Sequence, residues 1–428
     1  MLALGVTIFL FVLLAVGMPV GFALAVAGTV GLYLIGGAST VYGLVETTAV
    51  SAVSSYELIT VPMFLLMADF VILSGVADEL FNAAAKWVGR VRGGLGIATA
   101  IAGAAFGAIS GSSTASAATL SATTIPAMLK QGYEPKMACG VVAISGTLAM
   151  LIPPSIALVL YGIIADVSIG ALLIAGIVPG ILVTLTIALT VYVLVVLDPS
   201  RAPRGQSYTL REKVASLRVA GPMILLFMAV TGIIYAGVAT PTEAAGIGAF
   251  GAMLLAWRAR RVTLASLRDA ATGAAGTSCM VFMIILGAKI FAYFFTLTQT
   301  TQQLVAFVGS LHVSPYLILA LILAGYFVLG CIMDQIAILV LTVPIVLPVI
   351  KALGFDPVWF GVIVVVLAEV GLLTPPVGLN AYVVSRYTGR AVGEVFSGIW
   401  PHVCAHLVLL AILVAFPSLI LWLPSTMR

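Results

Sequence analysis

The sequence has 428 residues, of which 62% are hydrophobic and 8% are charged, and its formal net charge is +4. A soluble domain carries about 25% charged residues, so this composition excludes a soluble globular domain and predicts an all-α polytopic membrane protein. The four cysteines are far apart and form no CxxC or Cys/His cluster, so neither a metal centre nor a disulfide framework is indicated. The small positive charge lies in loops and indicates membrane topology, not nucleic-acid binding.

The first half of the chain, residues 1–197, begins with an apolar stretch that has no basic residues before it and no small-residue cleavage site after it. These features predict a retained first span and argue against a signal peptide. In chain order, the predicted elements include spans at 3–16 and 20–36, a re-entrant helical hairpin at about 95–130, a broken helix at about 137–165 and a span at 168–197.

The most polar segment, DPSRAPRGQSYTLREKVASLR, covers residues 198–218 and is predicted to be a cytoplasmic linker. The positive-inside rule supports this assignment, because the segment carries Arg201, Arg204, Arg211, Lys213 and Arg218. The second half, residues 219–428, is predicted to contain spans at 219–238, 242–257 and 276–300, a hairpin at about 315–350, a broken helix at about 358–385 and a span at 398–423. We expect ten crossings in all, two hairpins and both termini on the outer side.

The prolines indicate an internal duplication. A constant offset of 222 residues relates the two members of each matching pair, and the turn GYEP at 132–135 lies over GFDP at 354–357. Because an odd number of predicted crossings separates these two turns, the repeats are expected to be inverted, an arrangement found in many secondary transporters. The matching pairs are Pro126 with Pro348, Pro135 with Pro357, Pro153 with Pro375, and Pro154 with Pro376.

Small polar residues and prolines interrupt the apolar sequence at membrane depth, at 109–116, 151–155, 329–334 and 373–380. Non-helical backbone is tolerated inside a bilayer only against protein or a wet cavity. The free carbonyl and hydroxyl oxygens suit Na⁺, and the N-termini of half-helices attract a carboxylate. The alternative is a small-residue packing face, which we favour for the hydroxyls of 116–123 but not for residues 110–114.

Ionisable residues within apolar segments are candidates for function. Asp334, at the second hairpin tip, is interpreted as a Na⁺ ligand, as the N-cap of the next helix, or as both. Glu369 either supports the site or makes a structural hydrogen bond. Lys289 is open between three interpretations, which are pairing with a substrate carboxylate, pairing with Asp334 or Glu369, and snorkelling.

Two long motifs are similar to those of a known family. The segments GAISGSSTASAATLSATTIPAMLKQGYEPKMACGVVAISGTLAMLIPPSIALVLYGI and LGCIMDQIAILVLTVPIVLPVIKALGFDPVWFGVIVVVLAEVGLLTPPVGLNAYV resemble the large membrane subunit of tripartite ATP-independent periplasmic (TRAP) transporters. The resemblance covers nearly the whole chain. It implies an elevator-type carrier in a bacterial inner membrane that uses a Na⁺ gradient, takes an organic acid from a periplasmic substrate-binding protein and works with a separate small four-helix membrane subunit.

The resemblance also implies roles for particular residues. The first Na⁺ site would combine the first hairpin tip with the first Pro-Pro sequence, and the second would combine Asp334 with the second Pro-Pro sequence. Lys289 has no counterpart in the family pattern and is retained as a substrate candidate. The Na⁺ candidates are Ser110, Gly111, Ser112, Ser113, Pro153, Pro154, Asp334, Thr374, Pro375 and Pro376, and the substrate candidates are Thr114, Ser155, Lys289, Gly378 and Asn380.

Two rival functions remain open at this point. Because the sequence contains no GxxxxGK[ST] motif, the driving force is expected to be an ion gradient, with Na⁺ and protons not distinguished. A direct Na⁺/dicarboxylate symporter would differ only in needing no binding protein. An intramembrane serine hydrolase would use Ser112 or Ser113 as nucleophile, but no histidine or other clear base lies in the Pro-Pro sequences.

Overall fold

A computed structural model describes residues 2–203 and 205–427, except the side chains of Val76, Ala77, Asp78, Ile109 and Val219. Within this part of the chain the regular structure is helical, with no β-strand, so the all-α prediction is confirmed. Arg204, one of the basic residues of the predicted linker, lies outside the described residues. The first ten α-helices are α1 Leu2–Ala15, α2 Val20–Val53, α3 Thr60–Ser74, α4 Val76–Val88, α5 Gly94–Ser110, α6 Ser113–Lys130, α7 Pro135–Gly146, α8 Ile156–Ala165, α9 Ile169–Ala175 and α10 Ile177–Leu197.

The second half of the chain is helical in the same way. Short 3₁₀ helices occupy Tyr56–Ile59, Thr147–Met150 and Pro199–Arg201. The remaining α-helices are α11 Leu210–Tyr235, α12 Pro241–Arg258, α13 Leu264–Leu297, α14 Thr300–Ser310, α15 Pro315–Gly330, α16 Gln335–Ala352, α17 Pro357–Leu372, α18 Leu379–Thr388, α19 Val392–Ala415 and α20 Ser418–Ser425.

The helix bounds recur at the offset found in the sequence. The bounds of α6 and α16 are related by the same 222 residues, and so are the first residues of α7 and α17. The turns before α7 and α17 each contain a left-handed glycine, Gly132 with φ +88° and Gly354 with φ +84°. Glycine adopts this conformation without steric cost, and proline at the first helical position suits the helix start. The inverted orientation of the two halves stays a prediction.

The membrane-spanning helices differ in two places from the expected spans. By length and composition, six stretches of helix are long and apolar enough to cross a bilayer: 20–53, 56–74, 169–197, 264–297, 335–352 and 392–415. The span expected at 20–36 continues as α2 to Val53, with a break at Gly37, where φ is +67°. The second hairpin was expected to have two arms too short to cross, but α16 has 18 residues because it extends to Ala352.

The predicted linker is only partly non-helical. Its first residues are tied to the turn between α6 and α7, because the Arg201 guanidinium lies 3.7 Å from the Glu134 carboxylate and the Glu134 N–H donates to the Arg201 carbonyl at 2.7 Å. From Leu210 onwards the segment is the start of α11, where Thr209 and Glu212 form a capping box. Helix α11 then bends by 57° after Arg218, because Pro222 has no N–H to donate to that turn.

Helices α7 and α17 form the centre of the structure. Every residue of α7 from Met137 to Gly146 is buried, and so is every residue of α17 from Trp359 to Leu372. Each of these helices ends shortly before a Pro-Pro sequence, and α8 or α18 follows it. The two interrupted helices are therefore surrounded by protein, which is the environment that non-helical backbone requires at membrane depth.

Glycines hold two of the longest helices in backbone contact. A Cβ on Gly28 of α2 would lie 2.8 Å from the backbone nitrogen of Phe291 in α13, and a Cβ on Gly287 of α13 would lie 2.2 Å from the Gly21 carbonyl oxygen. Small residues at a helix crossing allow this close approach, and van der Waals contact then stabilises the pair in a bilayer. Helices α2 and α13 are thus a closely fitted pair.

We predict that Gly28→Ala destabilises this helix pair. The added methyl group would overlap the α13 backbone, so we expect a loss of about 1–3 kcal/mol, measured as a lower midpoint of thermal unfolding for the purified protein. Gly43→Ala is the matched control, because Gly43 lies in the same helix and a Cβ there would meet no atom within 4 Å. Equal midpoints for Gly28→Ala and Gly43→Ala would contradict the packing described.

Candidate functional site

The first hairpin tip is a two-residue turn between α5 and α6. Gly111 ends α5 in the left-handed conformation with φ +56°, and Ser112 caps α6 by accepting a hydrogen bond from the Ala115 N–H at 3.4 Å. The Ser110 and Ser116 hydroxyl oxygens lie 2.6 Å apart across the turn. A Cβ on Gly111 would lie 3.6 Å from the Pro154 carbonyl oxygen, so the tip lies against the first Pro-Pro sequence.

The second hairpin tip has the same position relative to the second Pro-Pro sequence. The Val377 N–H donates to the Cys331 carbonyl at 3.3 Å, which joins the tip to the turn that follows Pro376. Asp334 caps α16, since its Oδ1 accepts from the Ala337 N–H at 3.1 Å. The expected capping role of Asp334 is therefore confirmed, and its role as a Na⁺ ligand stays a prediction.

The two Pro-Pro turns differ in exposure. Pro153, Pro154 and Ser155 are buried, whereas Pro375 and Pro376 are exposed. Both turns use their hydroxyl groups locally. Ser155 donates to the Met150 carbonyl and accepts from the Leu158 N–H at 3.2 Å, while Thr374 donates to the Val370 carbonyl at 2.8 Å. Because a hydroxyl oxygen has two lone pairs, each keeps acceptor capacity for an ion.

A cavity of about 330 Å³ lies where the two tips approach each other. Side chains from both halves line it, together with Asp69 of α3, to which the sequence assigned no role, and Thr277 of α13. The Pro-Pro residues, Gly378 and Asn380 are not in its wall; their neighbours Met150 and Leu379 are. The predicted site residues that line the cavity are Ser110, Gly111, Ser112, Ser113, Thr114 and Asp334.

A buried hydrogen-bond network joins the two halves beside this cavity. The Ser113 hydroxyl donates to Glu369 Oε2 at 3.0 Å and accepts from Asn380 Nδ2 at 2.8 Å. Asn380 Nδ2 also donates to the Ala143 carbonyl at 3.3 Å. Glu369 thus makes one of the hydrogen bonds considered for it, and Asn380 lies within the protein core, with none of its surface exposed. Gly378 adopts φ +59° and starts the helix that carries Asn380.

Lys289 lies at a different cavity. Its Nζ donates to the Ser51 carbonyl at 3.0 Å, and it lines a cavity of about 570 Å³ together with Glu57 and Asp166. Within residues 2–203 and 205–427, the ion pairs join Arg201 to Glu134 and Asp198, and Arg390 to Glu394. The expected pairing of Lys289 with Asp334 or Glu369 is therefore wrong in this structure, because Lys289 faces away from the hairpin tips.

The arrangement around the tip serines is not that of a hydrolase. Ser112 makes hydrogen bonds with the Ala115 N–H and with the Thr114 hydroxyl at 3.3 Å. Ser113 bonds to a carboxylate and an amide. Of the two buried histidines of α19, His406 bonds through Nδ1 to the His402 carbonyl. Among the described residues no histidine is a hydrogen-bond partner of either serine, so the chemistry that activates a nucleophilic serine is not assembled here.

Sequence reasoning missed Gln335 altogether. Its side chain is buried, its Nε2 donates to the Val365 carbonyl at 3.2 Å, and it lines the smaller cavity. The one available signal was its position directly after Asp334, at the start of the second half-helix. A polar side chain at that place was read as part of the helix start, so its contact with α17 was not anticipated.

We predict that Ser113→Ala destabilises the protein by about 1–3 kcal/mol, because it leaves buried partners in α17 and α18 without their hydrogen bonds. Ser121→Ala is the matched control in the same helix, since the Ser121 hydroxyl bonds only to the Ala117 carbonyl of its own helix at 2.6 Å. Thermal unfolding of the purified variants measures the difference. The network would not be structurally important if both variants unfolded at the same temperature.

Comparison with known proteins identifies the family. Residues 7–419 match the family described as "Tripartite ATP-independent periplasmic transporter, DctM component". The chain is 37% identical to a C4-dicarboxylate TRAP transporter large permease protein of Pseudomonas aeruginosa over 86% of each protein, and 31% identical to a sialic acid TRAP transporter large permease protein of Vibrio cholerae over 96% of each.

The fold has a counterpart among solved structures. The crystal structure of the YdaH transporter of Alcanivorax borkumensis is similar, with a TM-score of 0.65 and 15% sequence identity over 90% of each chain. At this identity the likeness concerns the fold alone. Taken with the family match and the apolar helices, it follows that this chain is a multi-pass membrane protein of the transporter class, not an enzyme, and belongs to the family of TRAP transporter DctM components.

Proposed function

We propose that this chain is the large membrane subunit of a Na⁺-coupled importer that carries an organic acid across the bacterial inner membrane. The substrate would be delivered by a periplasmic substrate-binding protein, and a small four-helix membrane subunit would complete the transporter. The family supports the tripartite organisation. Relatives with 31–37% identity are named for C4-dicarboxylates and sialic acid, which supports a carboxylate as the substrate.

The charge of the smaller cavity is the observation that carries the ion-coupling proposal. Among the described residues that line it, Asp69, Asp334 and Glu369 are acidic, and none is lysine, arginine or histidine. A carboxylate that entered this wall alone would meet repulsion, which is strong at low effective dielectric. Cations bound at the tips would remove that repulsion, so Na⁺ would bind before the organic acid.

The donor atoms of the two turns fit Na⁺. Ser110, Ser112 and Ser113 supply hydroxyl oxygens, the residues around Pro153 and Pro154 supply carbonyls, and the second turn offers Asp334, Thr374 and carbonyls beside Pro375 and Pro376. These are hard oxygen ligands of the kind that coordinate Na⁺ at discontinuous helices. Gly111 allows the tip to approach the first Pro-Pro sequence closely. We propose two sites there, as the resemblance of the motifs implies.

The proposed movement follows from the packing of the turns. Each hairpin tip contacts the Pro-Pro turn of its own half, and Ser113 joins the first tip to α17 and α18. Elements connected in this way would move together as an elevator domain. Thr114, Gly378 and Asn380 would orient the substrate around the first tip and the second turn, with Ser155 positioning the first half-helix.

We expect uptake to require three components in proteoliposomes that contain this chain and its small subunit. These are an inward Na⁺ gradient, the organic acid and its binding protein. Uptake is measured with radiolabelled acid, and an equal K⁺ gradient serves as the control. Na⁺-driven uptake without the binding protein would instead identify a direct symporter, and uptake that ignores the Na⁺ gradient would contradict the coupling.

We predict that Thr374→Val raises the Na⁺ concentration for half-maximal uptake by about tenfold or more, because it removes an oxygen ligand. Ser112→Ala and Asp334→Ala are expected to act in the same direction. Thr186→Val is the matched control, since the Thr186 hydroxyl also bonds to a carbonyl four residues earlier, at 2.8 Å, but lies on α10 outside the cavity wall. Unchanged Na⁺ dependence in all three variants would contradict the assigned sites.

A further inference from the structure

Three buried oxygen atoms beside the smaller cavity have no hydrogen-bond donor. They are Glu369 Oε1, Gln335 Oε1 and Asn380 Oδ1. The three side chains are 4%, 2% and 0% exposed, respectively. Buried polar atoms in proteins are almost always paired, and an unpaired one has an energetic cost comparable to a lost hydrogen bond. Three such atoms on neighbouring helices therefore call for a common physical explanation.

The orientation of the two amides is determined by their partners. Asn380 Nδ2 faces the Ala143 carbonyl at 3.3 Å, and Gln335 Nε2 faces the Val365 carbonyl at 3.2 Å. A carbonyl oxygen can only accept, so rotating either amide by 180° would place two acceptors against each other. The unpaired atoms of both side chains are therefore oxygens, and each is an acceptor.

The three side chains belong to one cluster. Ser113 Oγ contacts both Glu369 and Asn380, at 3.0 and 2.8 Å, and so holds these two side chains side by side. The carbonyl that binds Gln335 belongs to Val365, which lies one helical turn before Glu369 on the same face of α17. Glu369 and Gln335 also line the cavity of about 330 Å³, which supplies a path from solvent.

The charge and the number of the oxygens select the ligand. A proton on Glu369 would convert one acceptor into a donor, pair it with one amide oxygen and leave the third oxygen without a partner. A divalent ion is usually held by several carboxylates, and the described residues contain no group of three His, Cys, Asp or Glu side chains suited to a metal. A monovalent cation would balance the one carboxylate and contact all three oxygens.

We propose that Glu369, Gln335 and Asn380 form a binding site for a monovalent cation, with Na⁺ as the ion. This site is additional to the two proposed at the Pro-Pro turns and does not depend on their occupancy. It lies where Ser113 of the first half meets α17 and α18 of the second half. An ion bound there would hold the two halves together through the side chains that position the first hairpin tip.

The test is to count bound Na⁺ in the full chain, purified with its small subunit. Equilibrium binding of ²²Na⁺ in choline chloride is compared for the natural sequence and Glu369→Gln, which keeps the shape of the side chain but removes its charge. We expect the variant to lose one bound Na⁺, or to bind that ion about 10- to 100-fold more weakly. An unchanged number of ions with unchanged affinity would overturn the proposal.

Asp69→Asn is the matched control, because it removes one negative charge from the same cavity wall but lies outside the cluster. The control should bind as many Na⁺ ions as the natural sequence, and an equal loss in both variants would indicate a general charge effect and overturn the site. If Glu369→Gln does not fold, Gln335→Met removes a second ligand oxygen and is expected to weaken the same ion.

The turn variant Thr374→Val separates this proposal from the proposed function. If Thr374→Val leaves Na⁺ binding unchanged while Glu369→Gln loses one ion, the turn sites are wrong and the cluster site stands. If Thr374→Val loses an ion and Glu369→Gln does not, the cluster site is wrong and the turn sites stand. Absence of saturable Na⁺ binding to the natural sequence would contradict both.

Discussion

The hydrogen bonds of Ser113 are the point on which the arrangement of the two halves depends. This hydroxyl is 1% exposed and bonds to a carboxylate of α17 and an amide of α18. Hydrogen bonds are strong in such an environment, and an unmade one is costly for the same reason. The network determines where the first hairpin tip lies, and hence the shape of the cavity between the tips.

The polar network is supported by close apolar packing. Glycines bring α2 and α13 into backbone contact, and a second contact of this kind joins Gly330 of α15 to Gly371 of α17, where an added Cβ would lie within 3.0 Å of the facing Cα. In a bilayer such contacts replace the hydrophobic effect as a source of stability. The second hairpin is therefore packed against the same central helix that carries Glu369.

The two cavities differ in charge, and this difference separates their roles. The smaller one has an acidic wall and contains the hairpin tips, whereas the larger one contains Lys289 with Glu57 and Asp166. A cation-first order of binding follows for the smaller cavity, because an organic acid would otherwise meet uncompensated carboxylates. Lys289 is too remote from the tips to provide that compensation in this structure, since it bonds to the Ser51 carbonyl of α2.

The sequence by itself determined the elements that depend on local chemistry. Composition indicated the membrane environment, glycine and serine located the first hairpin tip, Asp334 was recognised as a possible cap, and the recurring prolines located the two interrupted helices. Only the tertiary structure decided which side chains meet. Ser113 and Asn380 are 267 positions apart, and Lys289 faces a different cavity. Contacts of this kind depend on how helices cross, and no local pattern encodes the crossing.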